Sequence, residues 1–191
     1  MVDYRFGKDN LLETLAVWDE ILLGRGKIRL IACGGTALTL LGYKESTKDV
    51  DFLVPVESEY KRLVRFLGKA GYRRVTSFGW NRPGNFLIMD LFAGKRVYTT
   101  ELLSSPLRRG GNQKVWEGKK VYLGVLNPTD LIISKMFRGS SVDLEDCLTL
   151  VQHEKLDLRR LEKRYRETAK YQVNEERLLS NWMTFRNRLH P

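Results

Sequence analysis

The stretch that decides the fold reads Gly34-Gly35-Thr36-Ala37-Leu38 and then, after a polar link, Ser46-Thr47-Lys48-Asp49-Val50-Asp51-Phe52. Ahead of it, Ile28 to Cys33 is short, apolar and partly β-branched, which predicts a buried strand. Gly34 and Gly35 break that strand, and Thr36 to Leu41 is predicted as a short helix ended by Gly42. Glycines between a strand and a helix let backbone amides approach a phosphate, and the helix adds its positive N-terminal end. Thr36 offers a hydroxyl donor at the same place.

Asp49 to Val54 alternates acid and apolar residues and predicts a strand. Asp49 and Asp51 are two residues apart, so both carboxylates project to one side while Val50 and Phe52 project into the core. Close carboxylates repel and raise each other's pKa unless a cation neutralises them. Magnesium suits the pair, because it accepts one or two carboxylates and fills its shell with phosphate oxygens and water. A third acid, Asp90, interrupts the apolar run Phe86-Leu-Ile-Met-Asp-Leu-Phe92, where burial is costly without a cation or a metal. Three acids on neighbouring strands describe a phosphoryl-transfer site with one or two metals.

Outward from this centre, residues 10–23 have helical apolar spacing, with Asn10 able to cap the start. Residues 57–69 form an amphipathic helix with Tyr60, Leu63, Val64 and Leu67 on one face. Strands are expected at 73–78 and 85–92, separated by the turn Asn81-Arg-Pro-Gly84, and at 121–126. Asn127-Pro-Thr-Asp130 is a helix-start signal. Beyond it helices are predicted at 129–138, 142–152, 157–170 and 174–188. The expected class is α+β: a small mixed sheet flanked by helices over 1–126, followed by an α-helical region over 127–191 packing on it.

Composition narrows the function classes. The 191 residues are 42% hydrophobic, enough for a core, and no stretch approaches the roughly 20 apolar residues of a membrane span. With no apolar signal region over Met1 to Asn10, a cytoplasmic protein is expected, without a membrane partner. Cys33 and Cys147 form no metal or redox motif. His153 and His190 are the only histidines, which argues against a Ser-His-Asp or Cys-His hydrolase. The formal charge of +10 points to a polyanionic partner, and Arg159, Lys163, Arg166 and Lys170 form a basic stripe at helical spacing. Trp18, Trp80, Trp116 and Trp182 are read as packing residues.

Taken together, the Gly-Gly-Thr turn, the Asp-x-Asp strand and the strand carrying Asp90 resemble the nucleotidyltransferase superfamily with a DNA-polymerase-β-like palm. Within it the chain is most similar to the AbiEii/MenT-like toxin-type branch and its relatives. The resemblance covers roughly residues 28–150 and implies that Asp49, Asp51 and Asp90 bind catalytic Mg²⁺ or Mn²⁺. It also implies nucleotide binding by Gly34, Gly35, Thr36, Thr47, Lys135 and Arg138. Pro128, Lys135, Arg138, Asp143 and Asp146 match a helical motif of relatives, though Lys135 could equally face solvent and the two acids could be helix-start residues. The spacer Gly139-Ser140-Ser141 departs from the Arg-Asp-Lys-Asp string of the better-known toxins, which bears on toxin activity more than on fold.

The implied activity is metal-dependent transfer of a nucleoside monophosphate from an NTP to a hydroxyl acceptor. The acceptor classes are tRNA, another RNA, a protein hydroxyl or a small molecule, with the charge favouring RNA. A toxin with a cognate antitoxin is one setting for it. A catalytically inactive nucleotide- or RNA-binding regulatory protein is the alternative, and a module binding nucleic acid by charge alone is a third reading.

Overall fold

Strong apolar runs set the strands and amphipathic runs set the helices of this chain. In the computed structural model, which describes residues 5–84 and 87–189, α1 (Lys8–Ile21) leads into β1 (Ile28–Ala32), α2 (Gly34–Leu41), β2 (Asp49–Val54) and α3 (Glu57–Lys69). Short strands follow at β3 (Arg73–Arg74) and β4 (Gly79–Asn81), then β5 (Ile88–Ala93) and a hairpin of β6 (Arg96–Val97) and β7 (Thr100–Glu101). The last strands are β8 (Asn112–Glu117) and β9 (Val121–Leu126). Four helices complete the chain: α4 (Pro128–Arg138), α5 (Ser141–His153), α6 (Leu158–Ala169) and α7 (Glu175–Leu189).

The seven-stranded sheet has the order β3-β4-β5-β2-β1-β9-β8. At its centre β1 is antiparallel to β2 and parallel to β9, while β2 is parallel to β5. This places the start of β2, the start of β5 and the end of β1 at one edge. α3 lies against β1 and β2, α1 against β9, and α2 against β2 and β9. This is the α+β architecture with a mixed sheet that the sequence implied. α4 touches α2, β7, α5, α6 and α7, so it joins the helices to the sheet. One apolar cluster runs from Leu11 through the strands to Phe185 of α7. Trp18 and Trp182 are buried in it, and Trp80 and Trp116 pack on it.

The predicted start of α4 is present: Asn127 Oδ1 accepts from Asp130 N at 3.0 Å, with Pro128 at the first helical position. Ser140 and Asp143 form a reciprocal capping box at the start of α5. Several boundaries differ from expectation. α1 starts at Lys8, with Gly7 in the cap position, so Asn10 lies within the helix and its carbonyl accepts from Thr14. The strand expected over 73–78 splits because Thr76 turns the chain, its Oγ1 accepting from Gly79 N at 2.7 Å. The strand expected from Asn85 begins at Ile88; Asn85 and Phe86 lie outside the described residues, as do Met1 to Tyr4 and His190. β8 and the β6–β7 hairpin have no counterpart in the sequence reading. β8 is an edge strand without a fully buried residue, and the hairpin strands are two residues each, too short for a period. Among the described residues no helix is long and apolar enough to cross a membrane.

Candidate active site

The acids meet because of strand register. β2 and β5 pair with Asp51 directly opposite Asp90 and Asp49 opposite Ile88, so all three carboxylates leave the sheet on one face. Asp51 is 4% exposed, Asp90 is half-buried, and Asp49 at the strand start is exposed. The phenol of Tyr98, from the turn of the β6–β7 hairpin, donates to Asp51 Oδ1 at 2.6 Å and lies 3.3 Å from Asp90 Oδ2. No sequence signal singled out Tyr98, because the hairpin that presents it has no periodicity.

The turn at Gly34 and Gly35 explains why Asp51 can come so close. Gly34 has φ +56°, and a Cβ there would collide with the Asp51 carboxylate. At Gly35 a Cβ would meet Thr47 Oγ1 at 2.7 Å. α2 starts at Gly34, two residues earlier than predicted, so its first turn begins directly beside Asp51. The two threonines expected to bind nucleotide have their hydroxyls on the β2 backbone. Thr36 Oγ1 accepts from Asp51 N at 2.8 Å and donates to Asp49 O at 3.2 Å. Thr47 Oγ1 donates to the same carbonyl at 2.8 Å. Both pin the strand that carries the acids. We expect Gly34→Ala to move the Asp51 carboxylate and lower turnover about 10²-fold, the usual cost of a misplacement near 1 Å. Turnover equal to the native protein's would contradict the cradle.

Electrostatics at the acids are unfavourable without a cation. Burial pushes the Asp51 carboxyl up to about 6, opposed by the Tyr98 hydrogen bond and reinforced by Asp90. Asp90 is raised too, by burial first, against the Tyr98 bond and with the charge of Asp49 added. Among the described residues no cluster of three or more His, Cys, Asp or Glu is arranged around one metal point. Two carboxylates in register, one of them set in a glycine cradle, still fit a hard cation that draws its remaining ligands from phosphate and water.

A line of alternating charge connects this face to the helices. Arg138 Nε donates to Asp143 Oδ2 at 2.8 Å, and its guanidinium lies 4.8 Å from the centroid of the Tyr98 ring. The Asp143 bond holds Arg138 firmly protonated; burial raises Asp143, but the bonds from Arg138 and Ser140 outweigh it and leave its pKa lowered. Lys135 Nζ is 2.7 Å from Asp146 Oδ2 and 3.6 Å from Asp143 Oδ1, at 2% exposure. Lys44 closes the line at 2.5 Å from Asp146 Oδ1. Lys135 was expected on triphosphate oxygens; its ammonium is instead engaged between two buried carboxylates. Asp143 is both a helix-start residue, in the capping box of α5, and a partner of these cations, whereas Asp146 lies beyond the first turn and serves only as their partner. Arg138 remains part-exposed, and both it and Lys135 act electrostatically on Asp51, while Arg138 acts on Asp90 as well.

The basic stripe is also rearranged. Arg166 is tied to Glu162 at 2.8 Å. Lys163 instead joins Arg108, Lys155, Arg160 and Arg164 around a polar cleft of about 580 Å³ beside Asn127 and Thr129. Arg164 is held by Asp130 at 2.8 Å, whereas Arg108, Lys155, Arg160 and Lys163 make no ion pair among the described residues. A concavity of about 610 Å³ at the start of β1 is lined by Arg25, Lys27, Arg29, Arg62 and Arg65, of which Lys27 and Arg29 are paired to Glu117 and Glu59 and Arg62 donates to the carbonyls of Arg25 and Gly26.

No curated protein matches the chain. Among solved structures, it is similar to the crystal structure of ANT(2")-Ia in complex with adenylyl-2"-tobramycin, at 16% identity over 94% of this chain and 96% of that one. The TM-score is 0.44. A solution structure of the antibiotic-resistance factor ANT(2'')-Ia is similar at 16% identity, over 94% of this chain and 90% of that one, with a TM-score of 0.44. The model of the family described as "Nucleotidyltransferase of unknown function (DUF6036)" matches residues 9–189, and the chain belongs to this nucleotidyltransferase family.

Proposed function

We propose that this chain transfers a nucleoside monophosphate from an NTP to a hydroxyl of a polyanionic acceptor, RNA being the class that fits. The observation that carries the reading is the register of Asp51 with Asp90, beside a glycine turn where a side chain at Gly34 would collide with the Asp51 carboxylate. A divalent cation, Mg²⁺ or Mn²⁺, held by Asp51 and Asp90 with Asp49 at the rim, would neutralise the triphosphate and polarise its α-phosphate. The amides of Gly34 and Gly35, at the start of α2, would face the phosphates. Asp90 would take the proton of the attacking hydroxyl, since its raised pKa makes it a better base than an exposed aspartate. Arg138 would offset charge on the leaving pyrophosphate. Lys135 acts at a distance, fixing Asp143 and through it Arg138.

The polyanionic acceptor is supported by the cleft at Arg108, Lys155, Arg160 and Lys163. It opens at the N-terminal end of α4, whose C-terminal Arg138 faces the acids, roughly 14 Å away at 1.5 Å per residue. Unpaired cations converging on one cleft attract phosphates and penalise cationic acceptors. Bulk tRNA incubated with Mg²⁺ and each α-labelled NTP in turn should become labelled. The double change Arg160→Glu, Lys163→Glu should weaken tRNA binding more than 10-fold at low salt. It should also flatten the salt dependence of log K by about 1–2. An unchanged affinity and slope would remove the cleft from the acceptor path.

A further inference from the structure

Tyr98 is fixed more firmly than a loop tyrosine needs to be. It occupies the turn of a short hairpin with φ 52°, a left-handed conformation that a tyrosine rarely adopts and that the surroundings must hold in place. Its ring is held on two sides, by the Phe92 ring at 4.5 Å between centroids and by the Arg138 guanidinium at 4.8 Å. A strained backbone and two ring contacts thus deliver one hydroxyl to one point. That point lies between Asp51 and Asp90, at 2.6 Å and 3.3 Å.

The position has a chemical meaning, which rests on reading Asp51 and Asp90 as the transfer site. The attacking hydroxyl in nucleotidyl transfer must lie against the acid that receives its proton. It must also lie beside the acid that anchors the phosphate-bound cation. The Tyr98 oxygen meets both conditions, and its carrier hairpin follows directly on β5, the strand of Asp90. We propose that Tyr98 is itself an acceptor, and that the chain transfers a nucleoside monophosphate from an NTP to its own Tyr98 hydroxyl. In this step Tyr98 Oη forms a bond to the α-phosphorus, and the bond from that phosphorus to the α,β-bridging oxygen breaks. Pyrophosphate leaves with the electron pair, and the phenolic proton passes to Asp90. The product is a tyrosyl phosphodiester standing over the acids. Because the acceptor is part of the site, each chain takes one nucleotidyl group, and an external acceptor must enter where Tyr98 now stands.

The test uses the full chain with Mg²⁺ and each of the four NTPs, read by intact mass and peptide mapping, with α-labelled NTP and bulk tRNA in a parallel tube. The expected result is a gain of one nucleoside monophosphate per chain, mapped to Tyr98. It should be lost in Asp51→Asn and in Tyr98→Phe, which keeps the ring contacts and removes only the oxygen. Labelled tRNA together with an unmodified Tyr98, or a label mapped to another residue, would overturn the proposal and leave the transfer site standing. Absence of label on chain and tRNA alike, with no shift of melting temperature by any Mg²⁺–NTP, would overturn both.

Discussion

Asp51→Asn is expected to abolish nucleotidyl transfer and, at the same time, to stabilise the metal-free protein at pH 8. Loss of the carboxylate proposed to anchor the cation should lower turnover by at least about 10³-fold, because the electrostatic stabilisation a cation would supply there amounts to several kcal/mol. The stability gain follows from linkage. The folded-state carboxyl of Asp51 is raised from an ordinary 3.8 to about 6 by burial, so the folded state binds its proton more tightly than the unfolded chain does. That contribution is fully present below about pH 4 and is lost as pH rises through about 6. At pH 8 the ionised, buried Asp51 therefore costs on the order of 2–3 kcal/mol, and asparagine removes that cost. Melting of the variant should rise by about 5 °C at pH 8 and change little at pH 4. A variant less stable than the native chain at pH 8 would show that the acid is already paired in the folded protein.

The second large effect is expected at Lys135. Its ammonium lies between Asp146 and Asp143 at 2% exposure, the arrangement in which removing one partner strands buried charge. Lys135→Met should cost about 3 kcal/mol, lowering the melting temperature by roughly 6–12 °C for a chain of this size. Adding Asp146→Leu should recover much of that loss, because Lys44, about one-third exposed, can return to water. Transfer should stay impaired in the double variant, since Asp143 then holds Arg138 without the second cation beside it. Equal stability of the native chain and the single variant, measured by denaturant unfolding, would rule out the buried network.

What the sequence disclosed and what it hid follow from the range of the interactions concerned. Asp49, Asp51 and the glycine turn were readable because strand alternation and a strand–helix break are local patterns. Asp90 was readable because a charge inside an apolar run is costly wherever the strand lies. Its register against Asp51, which makes the two a pair, is a long-range fact that no local pattern carries. Tyr98 was not readable at all. Its hairpin is too short to show a period, and its importance depends on a turn conformation that favours glycine. Lys135 and Arg138 were recognised as a helical pair, yet the side chains diverge. Both engage Asp143 on α5, but Lys135 is buried against Asp146 while Arg138 stays part-exposed over the Tyr98 ring. The hydroxyls of Thr36 and Thr47 bond the β2 backbone, a role that spacing cannot distinguish from ligand binding.

The measurement that tests the account most directly compares two labels in one assay. Full-length protein, Mg²⁺ and bulk tRNA are incubated with an NTP labelled at the α-phosphate and, separately, with the same NTP labelled at the γ-phosphate. Macromolecular label is expected from the α-position only, with labelled pyrophosphate released from the γ-position, and neither signal from Asp51→Asn or Asp90→Asn. Transfer of the γ-label, or α-transfer that survives both substitutions, would contradict that expectation.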